Sequence, residues 1–287
     1  MSDYMIYTDS ACDIKPKLLH EWGVKYTELT FAFNSDGKEY HDFDMSSKEF
    51  YKKMRDGDMA KTSAVNSDVF REAFERELSA GNDILYIGFS SGLSTTVNSG
   101  QIAAEELKEQ YPERRIICVD TLAASAGFGL LLYLVTQQKK NGATLEQAAA
   151  YAEDMKLHIC HWFTVDDLNY LKRGGRVSPT VAFVGGVLGI KPVMHMDNEG
   201  HLINMFKERG RKASIRALAK KYGELCSDRE APIFISQGDC REDAEYLSQL
   251  VKQDYGAKID LITDVGSVIG AHTGPGVLAF FFVGRER

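Results

Sequence analysis

Asp83-Ile-Leu-Tyr-Ile-Gly-Phe-Ser-Ser-Gly-Leu-Ser-Thr-Thr-Val-Asn-Ser-Gly100 is an apolar run, a cluster of small hydroxyl residues and the start of a charged helical segment. That order reads as the strand, turn and helix of an α/β unit. The turn falls at the carboxyl end of the strand. There the unpaired N–H groups of a helix start, with Ser91, Ser94 and Thr95, would face a small anion placed above the sheet. The same letters place Gly88, Ser90 and Gly92 in the Gly-x-Ser-x-Gly spacing of a serine hydrolase, so the stretch carries two competing chemistries.

Arg115-Ile-Ile-Cys-Val119 supplies the next strand. A helix of this length between two strands makes a right-handed parallel crossover, which puts the turns at Ser90 and Asp120 on one edge of a sheet, where ligands of open α/β folds bind. Upstream, Tyr4 to Thr8 is a strand, Asp9-Ser-Ala-Cys-Asp13 a turn with helix-capping residues, and Pro16 opens a helix. Val24 to Phe33 reads as one strand and Asn34 to Gly37 as a turn. Ser46 starts a helix, and Asn66 caps another over Val69 to Leu78, which leaves Thr62 and Ser63 without a capping task. Downstream lie two helices, Ala123 to Gln138 and Thr144 to His158.

The rhythm then changes, and the domain boundary is expected there, giving an N-terminal α/β domain over residues 1–158 and a C-terminal α+β domain over residues 159–287. In the second, Asp166 is expected to cap a short helix ending at Gly174-Gly175, and Val177 to Gly189 reads as an apolar helical stretch. Asp197-Asn-Glu-Gly200 marks a hairpin. Two helix and strand pairs follow, then a Gly-rich turn, Gly270 to Gly276, before a last apolar strand.

The chain has 287 residues, 44% hydrophobic and 26% charged, and a net charge of -7. These values fit a soluble globular protein and argue against a general nucleic-acid binder, which needs a basic face. Five scattered cysteines without a Cys-x-x-Cys pair, and an amino terminus without a basic segment followed by an apolar one, lead to the expectation of a reduced, cytoplasmic protein. The longest apolar segments are too short for a membrane span. No metal-ligand spacing and no Gly-x-Gly-x-x-Gly after a strand is present, so neither a metal nor a nucleotide cofactor is expected. A hydrolase would use Ser90 as nucleophile, His272 as base and Asp264 as the orienting acid, in the chain order of α/β-hydrolases.

Five motifs taken together, Thr8-Asp-Ser-Ala-Cys-Asp13, Lys61-Thr-Ser63, Ser91-Gly-Leu-Ser94, Leu171-Lys-Arg-Gly-Gly-Arg176 and Gly270-Ala-His-Thr-Gly-Pro-Gly276, resemble the DegV family of fatty-acid-binding proteins and span nearly the whole chain. The resemblance implies two α/β domains with a long-chain fatty acid in a buried tunnel. Its carboxylate would be held by Thr62 and Ser94, with Ser63, Ser91 and His272 nearby. It also implies a separate fatty acid kinase as partner, which phosphorylates the presented acid with ATP to an acyl-phosphate for phospholipid synthesis, the chain itself being non-catalytic. Arg173 and Arg176 are the residues expected to meet such a partner. Ala64-Val65 and Thr95 depart from the family's usual Gln-Pro and Gly.

Overall fold

The computed structural model describes residues 4–177 and 189–287; the apolar stretch expected to be helical up to Gly189 lies almost wholly outside them. In chain order the elements are β1 (Tyr4–Asp9), a 3₁₀ turn (Ser10–Cys12), α1 (Pro16–Glu21), β2 (Val24–Thr27), β3 (Thr30–Phe33), β4 (Glu39–His41), α2 (Ser47–Arg55), β5 (Ala60–Ser63), α3 (Ser67–Ser79), β6 (Asp83–Gly88), α4 (Thr96–Gln110), β7 (Ile116–Asp120), α5 (Ser125–Lys140) and α6 (Leu145–Met155). After a second 3₁₀ turn come β8 (Ile159–Thr164), α7 (Asn169–Arg173), β9 (Ile190–Met196), β10 (Leu202–Arg209), α8 (Arg211–Leu225), β11 (Phe234–Gln237), α9 (Arg241–Tyr255), β12 (Leu261–Asp264), α10 (Ser267–Thr273) and β13 (Leu278–Val283).

The strands build three sheets. The first is parallel throughout, in the order β2-β1-β6-β7. Strand β6 is buried along its whole length, as expected of a strand covered on both faces. Its Tyr86 hydroxyl donates to Asp9 Oδ2 at 2.9 Å, and the Phe89 N–H donates to the same oxygen at 3.0 Å, which ties the ends of β1 and β6 together. Burial pushes the Asp9 carboxyl up to about 7, against the pull of these donors. Gly100 lets α4 lie directly on Tyr86, because a Cβ there would stand 2.5 Å from the ring.

The second sheet, β4-β3-β5, is antiparallel. Here the structure corrects the sequence reading. Val24 to Phe33 is two strands rather than one, since the chain leaves the first sheet after Thr27 and enters the second at Thr30, with the Leu29 N–H donating to Ser10 Oγ at 3.1 Å between them. Thr62 and Ser63 end β5, paired with Phe31 and Thr30.

The third sheet is mixed, ordered β10-β9-β8-β13-β11-β12. Alternation along β13 divides its two faces. Phe280 and Phe282 pack with Tyr222 of α8 and Leu247 of α9. Ala279 and Phe281 face the other way, in the core shared with the N-terminal half. Helix α5, which belongs to the first half of the chain, lies against β8, β11 and β13. Gly127 allows that approach, as a Cβ would meet His161 Nε2 at 2.3 Å.

Two local expectations need correction. Asp166 does not cap α7; its carboxylate pairs with Lys191 Nζ at 2.7 Å, and the Asn169 N–H is taken by Asp167 at 2.9 Å. His272 lies on the last turn of α10 rather than in a rigid turn, the Gly-rich turn beginning at Gly274.

Candidate functional site

Strand β5, the turn after β6, the first residues of α5, the inner faces of β8 and β13, and α10 enclose a cavity of about 380 Å³. Its wall is apolar where Phe89, Phe163, Val268, Ala279 and Phe281 meet, and polar where Thr62, Ser63, Ser91, Ser94, Arg176 and His272 gather. Three segments distant in sequence, β5, the turn after β6 and α10, thus bring together every residue expected to hold a carboxylate. Ser63, Ser91 and Thr95 are exposed, whereas Ala279, Phe281 and His161 are buried, so the polar end is also the end near solvent.

His272 Nε2 stands 2.8 Å from Thr62 Oγ1. Its Nδ1 is buried without a hydrogen-bond partner and lies against Gly174, where a Cβ would come within 2.3 Å. Burial first, and the nearby Arg176 charge second, push the imidazole down to about 4, so the ring is neutral at physiological pH. A neutral ring carries one N–H. With that proton on Nε2, the ring donates to Thr62 Oγ1 and the threonine hydroxyl hydrogen is left for an acceptor in the cavity.

The serine turn is held by its own amides, and its Ser91, Ser94 and Thr95 line the cavity. The N–H groups of Ser90, Ser91, Gly92, Leu93 and Ser94 donate to the Ala123 carbonyl, Asp120 Oδ1, Ser90 Oγ and, for the last two, the Ser90 carbonyl. Ser94 Oγ accepts from the Thr96 N–H at 3.2 Å and lies 2.9 Å from Thr96 Oγ1. These amides are therefore spent on the turn itself, and it is side-chain hydroxyls that line the cavity. Ser94 thus both holds the first N–H of α4 and forms part of the wall.

The hydrolase triad does not assemble. Ser90 is fully buried, is not part of the cavity wall and donates its hydroxyl to the Gly200 carbonyl at 3.0 Å. His272 faces Thr62 instead, and Asp264 pairs with Lys15 at 3.0 Å and accepts from Gln237 Nε2 at 2.8 Å. Gly-x-Ser-x-Gly here marks a structural turn, on which the β9–β10 hairpin docks closely enough that a Cβ at Gly92 would meet the Gly200 carbonyl at 2.8 Å.

The basic segment divides. Arg173 is exposed with its guanidinium over the Tyr170 ring at 4.7 Å. Arg176 is partly exposed and reaches into the cavity wall, where Nε donates to the Leu93 carbonyl at 3.2 Å and Nη1 to the Gly174 carbonyl. Sequence reasoning also passed over His161. Its Nδ1–H donates to the Ile159 carbonyl at 2.8 Å, and Nε2 has no partner. The period-2 pattern of β8 and β13, which puts His161, Phe163, Ala279 and Phe281 on one face, was the signal for this wall.

Among the described residues no cluster of His, Cys, Asp and Glu has the arrangement of a metal site, no helix is long and apolar enough to cross a membrane, and all five cysteines are free thiols.

Comparison with known proteins agrees with the fold. A DegV domain-containing protein of Clostridium perfringens is 44% identical over 100% of this chain and 99% of its own, and one of Lactococcus lactis is 31% identical over 99% and 98%. A DegV family protein of Thermus thermophilus, whose structure is described for its fatty acid binding, superposes with a TM-score of 0.87 at 28% identity over 99% of this chain and 100% of that one. A fatty acid binding DegV family protein of Streptococcus agalactiae gives 0.87 at 26% identity, with 100% of both chains covered. The model of the DegV family, described as uncharacterised proteins, matches residues 4–285; the chain belongs to the DegV family.

Proposed function

We propose that this protein binds a long-chain fatty acid in the cavity and presents its carboxylate at the polar end to a separate ATP-dependent fatty acid kinase, which would form an acyl-phosphate for phospholipid synthesis. The observation that carries the binding is the gradient of the cavity, apolar and buried at one end, hydroxyl-rich and near solvent at the other. Each buried methylene of an alkyl chain contributes about 0.8 kcal/mol, so the tail supplies most of the affinity and the head needs only orienting. The reverse orientation would place an ionised carboxylate among Phe163, Ala279 and Phe281, and an unpaired buried charge costs several kcal/mol.

In this reading Thr62, Ser94 and His272 orient the carboxylate, with Ser63 and Ser91 at the rim. The hydroxyl donors orient the oxyanion, while the Arg176 guanidinium in the same wall donates to the Leu93 and Gly174 carbonyls, which leaves the oxyanion nucleophilic toward a phosphoryl donor. The protein performs no covalent step itself and works in the cytoplasm. Exposed Arg173 is the residue assigned to the kinase surface. The fatty-acid-binding relatives from Thermus thermophilus and Streptococcus agalactiae support the ligand class.

Native mass spectrometry of the purified protein tests the reading. A bound mass lost on denaturation, or uptake of added hexadecanoic acid, is expected; a clean apo mass with no uptake would sink it. ATP-dependent phosphorylation of the loaded protein by a kinase from the same cell tests the second half.

A further inference from the structure

The motif Thr8-Asp-Ser-Ala-Cys-Asp13 touches none of the head-group residues directly, yet it holds the element that carries one of them. Helix α10 is short, with His272 on its last turn. No side chain of its own caps its first turn. Two buried carboxylates from elsewhere do so: Asp13 Oδ1 accepts from the Gly266 N–H at 2.9 Å, and Asp42 Oδ1 accepts from the Val268 N–H at 3.1 Å. The two acids come from different sheets' loops, Asp13 after β1 and Asp42 after β4.

Both are locked in turn. Asp13 has a left-handed backbone, φ 53, its Oδ2 accepts from Ser125 Oγ, and its carbonyl accepts from Thr263 Oγ1 at 3.0 Å. The Asp42 N–H donates to the Leu29 carbonyl at 3.1 Å. Gly266 leaves room for the arrangement, since a Cβ there would stand 2.8 Å from Asp13 Oδ1 and 3.2 Å from Asp42 Oδ1. Tyr51 adds a third hold by donating to the Val265 carbonyl at 3.0 Å.

We infer that Asp13 and Asp42 are positioning residues for His272: together they fix the start of α10 and so set the 2.8 Å approach of His272 Nε2 to Thr62 Oγ1. Each of the two buried carboxyl oxygens accepts a backbone N–H that the start of a helix leaves unpaired, and a seven-residue helix has little intrinsic stability with which to hold its own position. The inference deepens the proposed function and rests on it for the ligand readout, but the geometry it concerns exists without ligand.

The experiment compares wild type with Asp42→Ala, Asp42→Asn and Gly266→Ala, using hexadecanoic acid, methyl hexadecanoate and the ¹⁵N imidazole resonances of His272 in the unloaded protein. Asp42→Ala is expected to move the His272 resonances and to weaken hexadecanoic acid by up to about tenfold, the scale of one lost hydrogen bond, while the ester changes much less. Asp42→Asn keeps an acceptor for Val268 and is expected to restore most of the loss. If Asp42→Ala does not fold, Gly266→Ala decides, because it displaces both carboxylates without removing either. Equal weakening of acid and ester with unmoved His272 resonances would overturn the inference and leave Asp42 a purely structural residue. Failure of wild type to take up hexadecanoic acid would instead refute the proposed function, and the imidazole resonances would still decide the positioning role.

Discussion

Replacing Thr62 by Val tests the head group of the site with little disturbance elsewhere. Valine keeps the β-branched shape that suits the end of β5 and deletes only the hydroxyl that stands 2.8 Å from His272 Nε2. For a bound carboxylate the lost donor is a hydrogen bond to a charged group, about 1.5–3 kcal/mol, or roughly 10- to 150-fold in affinity. For hexadecanol the same position faces a neutral hydroxyl, and the loss is about 0.5–1.5 kcal/mol, at most roughly tenfold. The alkyl contribution is common to both ligands and cancels. Displacement of a fluorescent fatty acid by hexadecanoic acid and by hexadecanol, in wild type, Thr62→Val and Thr62→Ser, gives the comparison directly. The acid is expected to lose more than the alcohol, and Thr62→Ser to recover most of the difference. An equal loss for acid and alcohol, or none for either, would refute the assignment of Thr62 to the carboxylate.

Three further outcomes follow from the same geometry. Ser90→Ala removes the hydroxyl given to the Gly200 carbonyl and is expected to cost about 1 kcal/mol of stability in denaturant melts, with hexadecanoic acid binding unchanged and no ester turnover expected from either protein; ester turnover by wild type that vanished in this variant would restore the hydrolase reading. Imidazole titration of His272 in the unloaded protein is expected to have its midpoint near 4 instead of the usual 6.5. Since the folded state favours the neutral ring, this group's contribution to stability is complete above pH 6.5 and is lost as the pH falls toward 4, while a carboxylate loaded beside it should raise the midpoint; an unloaded midpoint near 6.5 contradicts this. Gly100→Ala places a Cβ 2.5 Å from the Tyr86 ring, which is fully buried and anchored on Asp9; overpacking of about 1–3 kcal/mol should outweigh the helix-propensity gain of about 1 kcal/mol and lower the urea midpoint.

The parts of the fold that could be read from the sequence are those whose information is local. The unit β6, α4 and β7 follows from an apolar run, a hydroxyl turn and a helical period, and the structure has it as a parallel pair with that crossover. The Asn66 cap of α3 and the β9–β10 hairpin were legible for the same reason. What could not be read depends on partners far away in the chain. Val24 to Phe33 has uniform strand composition, and only the pairing of Thr30 to Phe33 with β5 tells that the strand changes sheets. Arg176 belongs to a basic, Gly-containing segment that looks solvated, yet the carbonyls of Leu93 and Gly174 draw it into the cavity wall.

The serine turn carries the most instructive difference. A cluster of hydroxyls before a helix suggests free amides facing an anion, because a helix start leaves N–H groups without partners. Here the amides of the turn itself, Ser90 to Ser94, and the Thr96 N–H at the start of α4 have acceptors in Asp120, Ser90, Ser94 and the Ala123 carbonyl, which fixes the loop and leaves hydroxyl groups facing the cavity. A hydroxyl can rotate its proton between a neighbouring oxygen and a ligand, as Ser94 can between Thr96 Oγ1 and the cavity; a backbone N–H cannot. The same freedom exists at Thr62 beside a neutral His272. The hydroxyls of Ser94 and Thr62 can therefore bond within the wall when the cavity is empty and donate two protons to an oxyanion when it is loaded, with no backbone movement. An array of fixed amides would suffer unpaired donors in the empty state, which is costly when buried.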